Sequence, residues 1–404
     1  MHTRRSFVQP SINISREEFQ ARAAKLQAYI QSQDLSGAVL FDSHYILYFT
    51  GFAFIPTERP IAFVLSADGE PAMLVPRLEL EHAQSMTHFE RIASYVEYPY
   101  ESHPMEALKT TLADMGIGGK IGADTDGYPW IFGYRGPSLS ELTGGSVARI
   151  AAFIEDTMMI KSPAEIALLR ESSKWANLAH RLLQRYTKVG ETETEVSLRA
   201  SHEATLTLLD TLGALYRSQS SFADGALAGY RGQIGRNAAI PHALANNIVF
   251  QRGDVLVTGA TAPMWGYHSE LERTMILGQP TDEQRRIFEH MKAAQEVAFD
   301  ALRPGARCAD VDRAVRKYYE DHDLMPYWKH HTGHAIGLRY HEGPFLDIGD
   351  PTEIQPGMVF TIEPGFYAPS LGGFRHSDTV AVTEDGIDML TFYPRDLDSL
   401  TLPA

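Results

Sequence analysis

The sequence predicts an α/β protein of the α+β kind in two parts, a smaller N-terminal α/β domain over residues 1–156 and a larger C-terminal domain over residues 157–404. Two observations carry this. Before residue 156, short apolar runs alternate with stretches of helical spacing, the pattern of helices laid on a sheet. At Ser162-Pro163-Ala164-Glu165 a fresh helix start appears, with an N-cap serine, proline at the first helical position and a glutamate three residues after the cap.

In chain order, Ser15-Arg16-Glu17-Glu18 has capping-box spacing, and Phe19, Ala23, Leu26 and Ile30 recur on one helical face. The break at Ser36-Gly37 leads into strands over Ala38–Phe41, Ile61–Leu65 and Met73–Val75. A helix over Pro104–Met115, a strand over Lys120–Ala123 and an apolar segment over Val147–Ile154 complete the first domain. In the second, Leu168, Trp175, Ala179 and Leu182 mark one face of a long helix, and another helix is expected over Glu193–Leu208. One offset relates Gly190 to Gly305 and Val196 to Val311, which suggests a weak internal duplication.

A length of 404 residues allows two or three domains, and 44% hydrophobic with 22% charged residues is ordinary for a globular protein. The net charge of −15 works against a phosphate backbone, so no nucleic-acid partner is expected. The lone Cys308 forms no internal disulfide, and no apolar run follows Met1-His2-Thr3-Arg4-Arg5 as a signal peptide requires. No run of about 18 apolar residues offers a membrane helix, so the expectation is a cytoplasmic protein without a membrane partner.

The chemistry is concentrated in a few blocks. Asn237-Ala238-Ala239-Ile240-Pro241-His242 sets a histidine in a polar loop, where its ordinary pKa suits proton transfer. His331-Thr332-Gly333-His334-Ala335-Ile336-Gly337, followed by His341-Glu342, is a histidine-dense stretch that either binds a metal or is solvated. Glu363 ends the apolar run Gly357–Ile362 just before Pro364, and a carboxylate there needs a partner. Glu270 and Glu272, two apart on an expected strand, share one face and can line one pocket.

These blocks, in this order, resemble the pita-bread family of methionine and Xaa-Pro aminopeptidases, prolidase and creatinase. The resemblance implies a creatinase/prolidase-like N-terminal domain followed by a pita-bread catalytic domain. It also implies five metal-ligand positions, which fall here on Gly259, Glu270, His334, Glu363 and Ser377. Two of the five have lost their carboxylates, so a two-metal site is not expected.

The block ending Leu271-Glu272-Arg273-Thr274 is similar to that of creatinase, the metal-free member. The resemblance therefore implies a metal-independent hydrolase, with no cofactor, that cleaves a non-peptide C–N bond of a small amidino, guanidino or N-acyl amino compound. His242 would carry the proton, Glu272 and Glu363 would bind the cationic group, and His334 and His341 would stabilise the intermediate. His268, His376 and Arg339 join the substrate site by position. Arg59 corresponds to an arginine that reaches a neighbouring subunit's site, which implies a homodimer. Two alternatives stand beside this reading. One is a metal-dependent Xaa-Pro aminopeptidase, prolidase-like enzyme or lyase with a reduced site of Glu270, His334 and Glu363; the other is an inactive binding module.

Overall fold

The computed structural model describes residues 12–87 and 89–404; the opening Met1-His2-Thr3-Arg4-Arg5 lies outside the described residues. Two compact units divide the chain after Met158.

The smaller unit runs α1 (Arg16–Ser32), β1 (Gly37–Leu40), α2 (Ser43–Thr50), β2 (Ala62–Ser66), β3 (Pro71–Pro76), α3 (Leu80–Met86), β4 (Arg91–Tyr95), α4 (Pro104–Asp114), β5 (Lys120–Ala123), α5 (Leu139–Thr143), β6 (Ser146–Arg149) and α6 (Ala151–Met159). Ser15 caps α1 by accepting from the Glu18 N–H, as the sequence predicts. Among the described residues the strands form a mixed six-stranded sheet ordered β4-β3-β2-β1-β5-β6. Its inner strands are largely apolar because both faces are covered, and Val39, Val64, Leu74 and Ile121 meet in the core. The apolar segment expected over Val147–Ile154 is two elements, because Ile150 donates its N–H to the Ala123 carbonyl and the chain then turns from β6 into α6.

In the larger unit two helix pairs flank strands: α7 (Pro163–Tyr186) and α8 (Glu193–Leu212), then β7 (Leu227–Gly229), β8 (Val255–Val257), β9 (Gly259–Thr261), β10 (Leu271–Glu272) and β11 (Thr274–Leu277), then α9 (Asp282–Ala301) and α10 (Cys308–Asp321). The chain continues through β12 (Gly333–Ala335), β13 (Glu342–Leu346), β14 (Val359–Ile362), β15 (Gly365–Ala368), β16 (Gly372–Arg375), β17 (Ser377–Val382), β18 (Ile387–Met389) and β19 (Thr401–Leu402). The main sheet is ordered β13-β12-β14-β17-β10-β9-β7, with β18 on β17. α7 opens with the full capping box of Ser162 and Glu165 and buries Leu168, Trp175, Ala179 and Leu182.

The internal repeat extends beyond the two residue pairs read from sequence. The offset that takes Gly190 to Gly305 also takes Thr192 to Arg307, and these residues sit at the N-caps of α8 and α10. Each also forms an antiparallel bridge, Thr192 with Val249 and Arg307 with Glu353. Gly190 and Gly305 donate their N–H groups to Phe250 and Ile354 in the same way.

The two halves of the sheet meet at β10 and β17, where Leu271 pairs with Asp378 and Glu272 with Ser377. Arg273 and Asp378 clamp this seam. Both are fully buried, Nη2 lies 2.7 Å from Oδ1, and the other guanidinium hydrogens reach the carbonyls of Glu272, Ser377, Tyr393 and Pro394. Thr391 and Gln295 donate to the carboxylate from outside the pair. With every polar atom paired, the burial of these charges is compensated.

Arg273→Met should leave Asp378 as an unpaired buried charge and cost about 3–5 kcal/mol, read as a lowered urea midpoint. Adding Asp378→Leu should recover much of the loss. A single variant as stable as the parent would show that the clamp does not hold the seam.

Candidate active site

Neighbouring strands deliver the site. His334 sits in the middle of β12, Glu363 follows β14, Ser377 begins β17, and Glu270 and Glu272 lie at β10. Those strands are adjacent in the order β12-β14-β17-β10. A Cβ at Gly333 would collide with the Thr361 carbonyl, so only glycine lets β12 approach β14 closely enough to aim His334 at Glu363.

Ligand atoms of Glu270, His334 and Glu363 all lie within 4.8 Å of one another. His334 Nδ1 contacts the Ala335 carbonyl at 3.0 Å, which places a proton on Nδ1 and makes Nε2 the nitrogen that would turn to a cation once its own proton is displaced. Nε2 is buried with no aligned hydrogen-bond partner, although Glu363 Oε1 is 3.2 Å away. Ser377 Oγ donates to Glu270 Oε1 at 2.7 Å, and the Thr379 hydroxyl both accepts from the Glu270 N–H and donates to its carbonyl.

Burial alone would depress the His334 pKa, but the Glu363 carboxylate beside it, with help from Glu270, carries it up to about 9. Burial works to raise Glu363, yet His334 and Arg375 hold it well below the usual carboxylate range. Glu270 is raised to about 7, first by burial and then by the charges of Glu363 and Glu272. A neutral imidazole nitrogen and two carboxylates converging on one point fit a single divalent cation with an open position. The same residues do not fit two cations. Gly259 has no side chain, and the Ser377 hydroxyl hydrogen is committed to Glu270.

Glu272 differs from the expectation that it binds the positive group of a substrate. Arg375 donates Nε to Oε2 and Nη2 to Oε1, and Arg231 Nη2 also donates to Oε1. The carboxylate is thus neutralised within the protein. Its partner is not the adjacent Arg273, which is spent on Asp378. Arg375 Nη1 also reaches Tyr367 Oη at 3.0 Å and the Pro241 carbonyl at 3.4 Å. Tyr367 in turn contacts His330 Nε2 at 2.7 Å.

Glu270, Glu272, Arg231, Tyr340 and His341 line a cavity of about 440 Å³ whose other wall includes Leu198, Phe222 and Leu227. His341 stacks on His334 with ring centroids 3.8 Å apart. Its pKa falls to about 4, through burial and then through His334. His242 lies exposed in the turn after Pro241 and acts electrostatically on His341.

The remaining predicted residues take other roles. His268 is buried, stacks on Tyr340 and donates its backbone N–H to Gly337. His376 is a core residue, with Nδ1 accepting from the Thr274 N–H and Nε2 against the Arg395 carbonyl, so both ring nitrogens are engaged away from substrate. Arg339 donates its backbone N–H to Glu342. Arg59, in the smaller unit, is ion-paired to Glu97 and Glu58. Sequence reading missed Arg231 and the role of Arg375; the signal for both was the need of Glu272 for a cation.

Residues 167–384 match metallopeptidase family M24, and residues 22–136 match the creatinase/prolidase N-terminal domain. The chain belongs to the M24 family. The Xaa-Pro dipeptidase of Pyrococcus furiosus is 29% identical over 377 residues, covering 93% of this chain and 99% of that protein. The crystal structure of dipeptidase PepE from Mycobacterium ulcerans has a TM-score of 0.80 at 26% identity, covering 97% of this chain and all of that one (100%). The Xaa-Pro dipeptidase from Bacillus anthracis shares the fold, with a TM-score of 0.79 at 23% identity over 96% of this chain and 100% of its own.

These relatives overturn the expectation of a metal-independent, creatinase-like hydrolase of non-peptide C–N bonds. The matched family is one of metallopeptidases, and the relatives are named as dipeptidases. The arginines around Glu272 remove the negative site on which that expectation depended.

Because His334 holds a proton up to about pH 9 and Glu270 up to about pH 7, binding a divalent cation must displace protons. Affinity for zinc should therefore rise as pH increases from 6 to 9. Calorimetry in buffers of different ionisation enthalpy should show net proton release at pH 7. Affinity that does not change over this range would refute the assigned protonation.

Proposed function

We propose that this chain is a metal-dependent dipeptidase, of the kind that accepts Xaa-Pro substrates, working with one divalent cation rather than two. The observation that carries the reading is the convergence of Glu270, Glu363 and the buried Nε2 of His334 within 4.8 Å of one another. The names of the relatives support the substrate class.

A cation held by these residues would polarise the scissile carbonyl and acidify a water. The protein's own groups complete the chemistry. The Ala335 carbonyl fixes the His334 ring, and Ser377 ties down one oxygen of Glu270. The Glu270 carboxylate, one oxygen held by the Ser377 hydroxyl, is the base assigned to the attacking water. His341, neutral at physiological pH, donates a hydrogen bond toward the substrate carbonyl. His242, exposed and close enough to act on His341, is assigned the return of a proton to the leaving nitrogen. A cytoplasmic setting agrees with a single, buried cysteine, and among the described residues no helix is long and apolar enough to cross a membrane.

Protein stripped of metal and titrated with zinc, manganese or cobalt should take up one equivalent and hydrolyse Ala-Pro. Glu270→Gln and His334→Ala should each lose metal and lower kcat/KM by about a thousandfold or more. Two bound equivalents at full activity, or hydrolysis unchanged by chelation, would refute the one-cation reading.

A further inference from the structure

We propose that Lys161 is a positioning residue of the active site: through Glu342 it holds the turn that carries His341 against His334. The proposal rests on the dipeptidase reading for the role of His341 and names what aims that ring.

The turn begins where the strand ladder ends. β12 and β13 pair Ala335 with Glu342, and a register shift between His334 and Ala335 leaves residues 336–341 outside the ladder. His341, the last of them, stacks on His334 with ring centroids 3.8 Å apart. Backbone bonds hold the first half of the turn: Ile336 donates its N–H to the Val359 carbonyl, and the Gly337 carbonyl accepts from the His268 N–H. The second half folds over the Glu342 carboxylate, whose Oε1 accepts the Arg339 N–H at 3.0 Å. Gly337 makes room for that carboxylate, since a Cβ there would stand 2.8 Å from Oε2.

A carboxylate folded inward in this way needs a cation. Lys161 supplies it, with Nζ 2.9 Å from Glu342 Oε2 and the two side chains only 1% and 7% exposed. The oxygens are thus divided, Oε2 to the ammonium and Oε1 to the turn. Anchoring one oxygen fixes the plane of the carboxylate and directs the other at the Arg339 N–H.

Lys161 is itself held in place. Its N–H goes to the Gly357 carbonyl at 2.9 Å, and a Cβ at Gly357 would stand 3.2 Å from the Lys161 carbonyl oxygen. The N-cap of α7, Ser162, follows directly, and Glu165 in the first turn of that helix accepts from Tyr267 Oη at 2.8 Å. Tyr267 precedes His268, whose N–H reaches Gly337. The start of α7 therefore grips the turn from two directions, Lys161 through Glu342 and Glu165 through Tyr267-His268. Only the first of these ends on the residue next to His341.

A pair that aims a ring and a pair that only balances charge differ in what a neutral replacement does. Lys161→Met alone would strand Glu342, so the test uses Lys161→Met/Glu342→Gln, which removes both charges at once and keeps an amide oxygen for Arg339. With zinc-loaded enzyme and Ala-Pro, this double variant should lower kcat about 10- to 100-fold, with KM within about threefold and zinc content unchanged. Parental kcat would show that the pair only balances charge, and would overturn the proposal. Combined with His341→Ala, the same two substitutions should change kcat by less than about twofold, since the ring they aim is gone. A further loss as large as in the parent would mean that they act on the site at large, which also overturns it. Proton NMR of the full-length protein with labelled histidines gives a readout independent of turnover. The His341 ring signal, identified by its loss in His341→Ala, should shift in the double variant as the ring leaves the face of His334, while those of the buried His180 and His376 stay in place. An unmoved His341 signal, or a shift shared by His180 and His376, overturns the proposal. If His341 alone moves and yet the parent hydrolyses no dipeptide, the positioning role stands and the dipeptidase reading fails.

Discussion

The buried Arg273–Asp378 pair is the constraint on which the site depends. It joins the first residue after β10 to the second residue of β17, and the groups on either side of it are Glu270, Glu272 and Ser377. A shift of one residue in this pairing would turn those side chains to the opposite face of the sheet. Burying two charges to set a register is costly unless every donor and acceptor is met, and here carbonyls from four residues complete the guanidinium while Thr391 and Gln295 complete the carboxylate. The precision of the site therefore comes from a polar core pair rather than from apolar packing alone.

On that frame the protein balances charge by two routes. One is the cluster of His334, Glu363 and Glu270, where carboxylates meet an imidazole whose proton a cation would displace. The other is Glu272, whose charge is met by the guanidinium groups of Arg375 and Arg231. A guanidinium is directional and always charged, so it can hold a carboxylate. A second metal ion could bridge reacting oxygens; an arginine cannot, and under the proposed function one cation and the histidines around it would complete the chemistry.

Much of this was legible in the sequence. Capping residues marked the starts of α1 and α7, and helical spacing found the buried faces of both. The cluster residues Glu270, His334 and Glu363 were also found, because each stands in a block whose spacing is itself distinctive. What remained hidden was pairing across long separations. Nothing near Glu272 in sequence shows that Arg375 and Arg231 will reach it; the neighbour Arg273 is the partner that proximity suggests, and the fold gives it to Asp378. His376 misled for the same reason, since its position in a motif says nothing of the Thr274 and Arg395 backbone that closes over its ring. With Glu272 read as an unoccupied carboxylate, the sequence favoured a cationic substrate over a bound metal.

The absent side chain at Gly259 bears on how such a protein can change. An aspartate introduced there would meet Arg231 before it met any metal, because the ion pair already occupies that direction. Removing Arg231 first would disturb the balance around Glu272, and replacing Glu272 first would strand Arg375 in the interior. Positions 231, 259 and 272 are therefore coupled: the effect of a side chain at any one of them depends on the charges held at the other two.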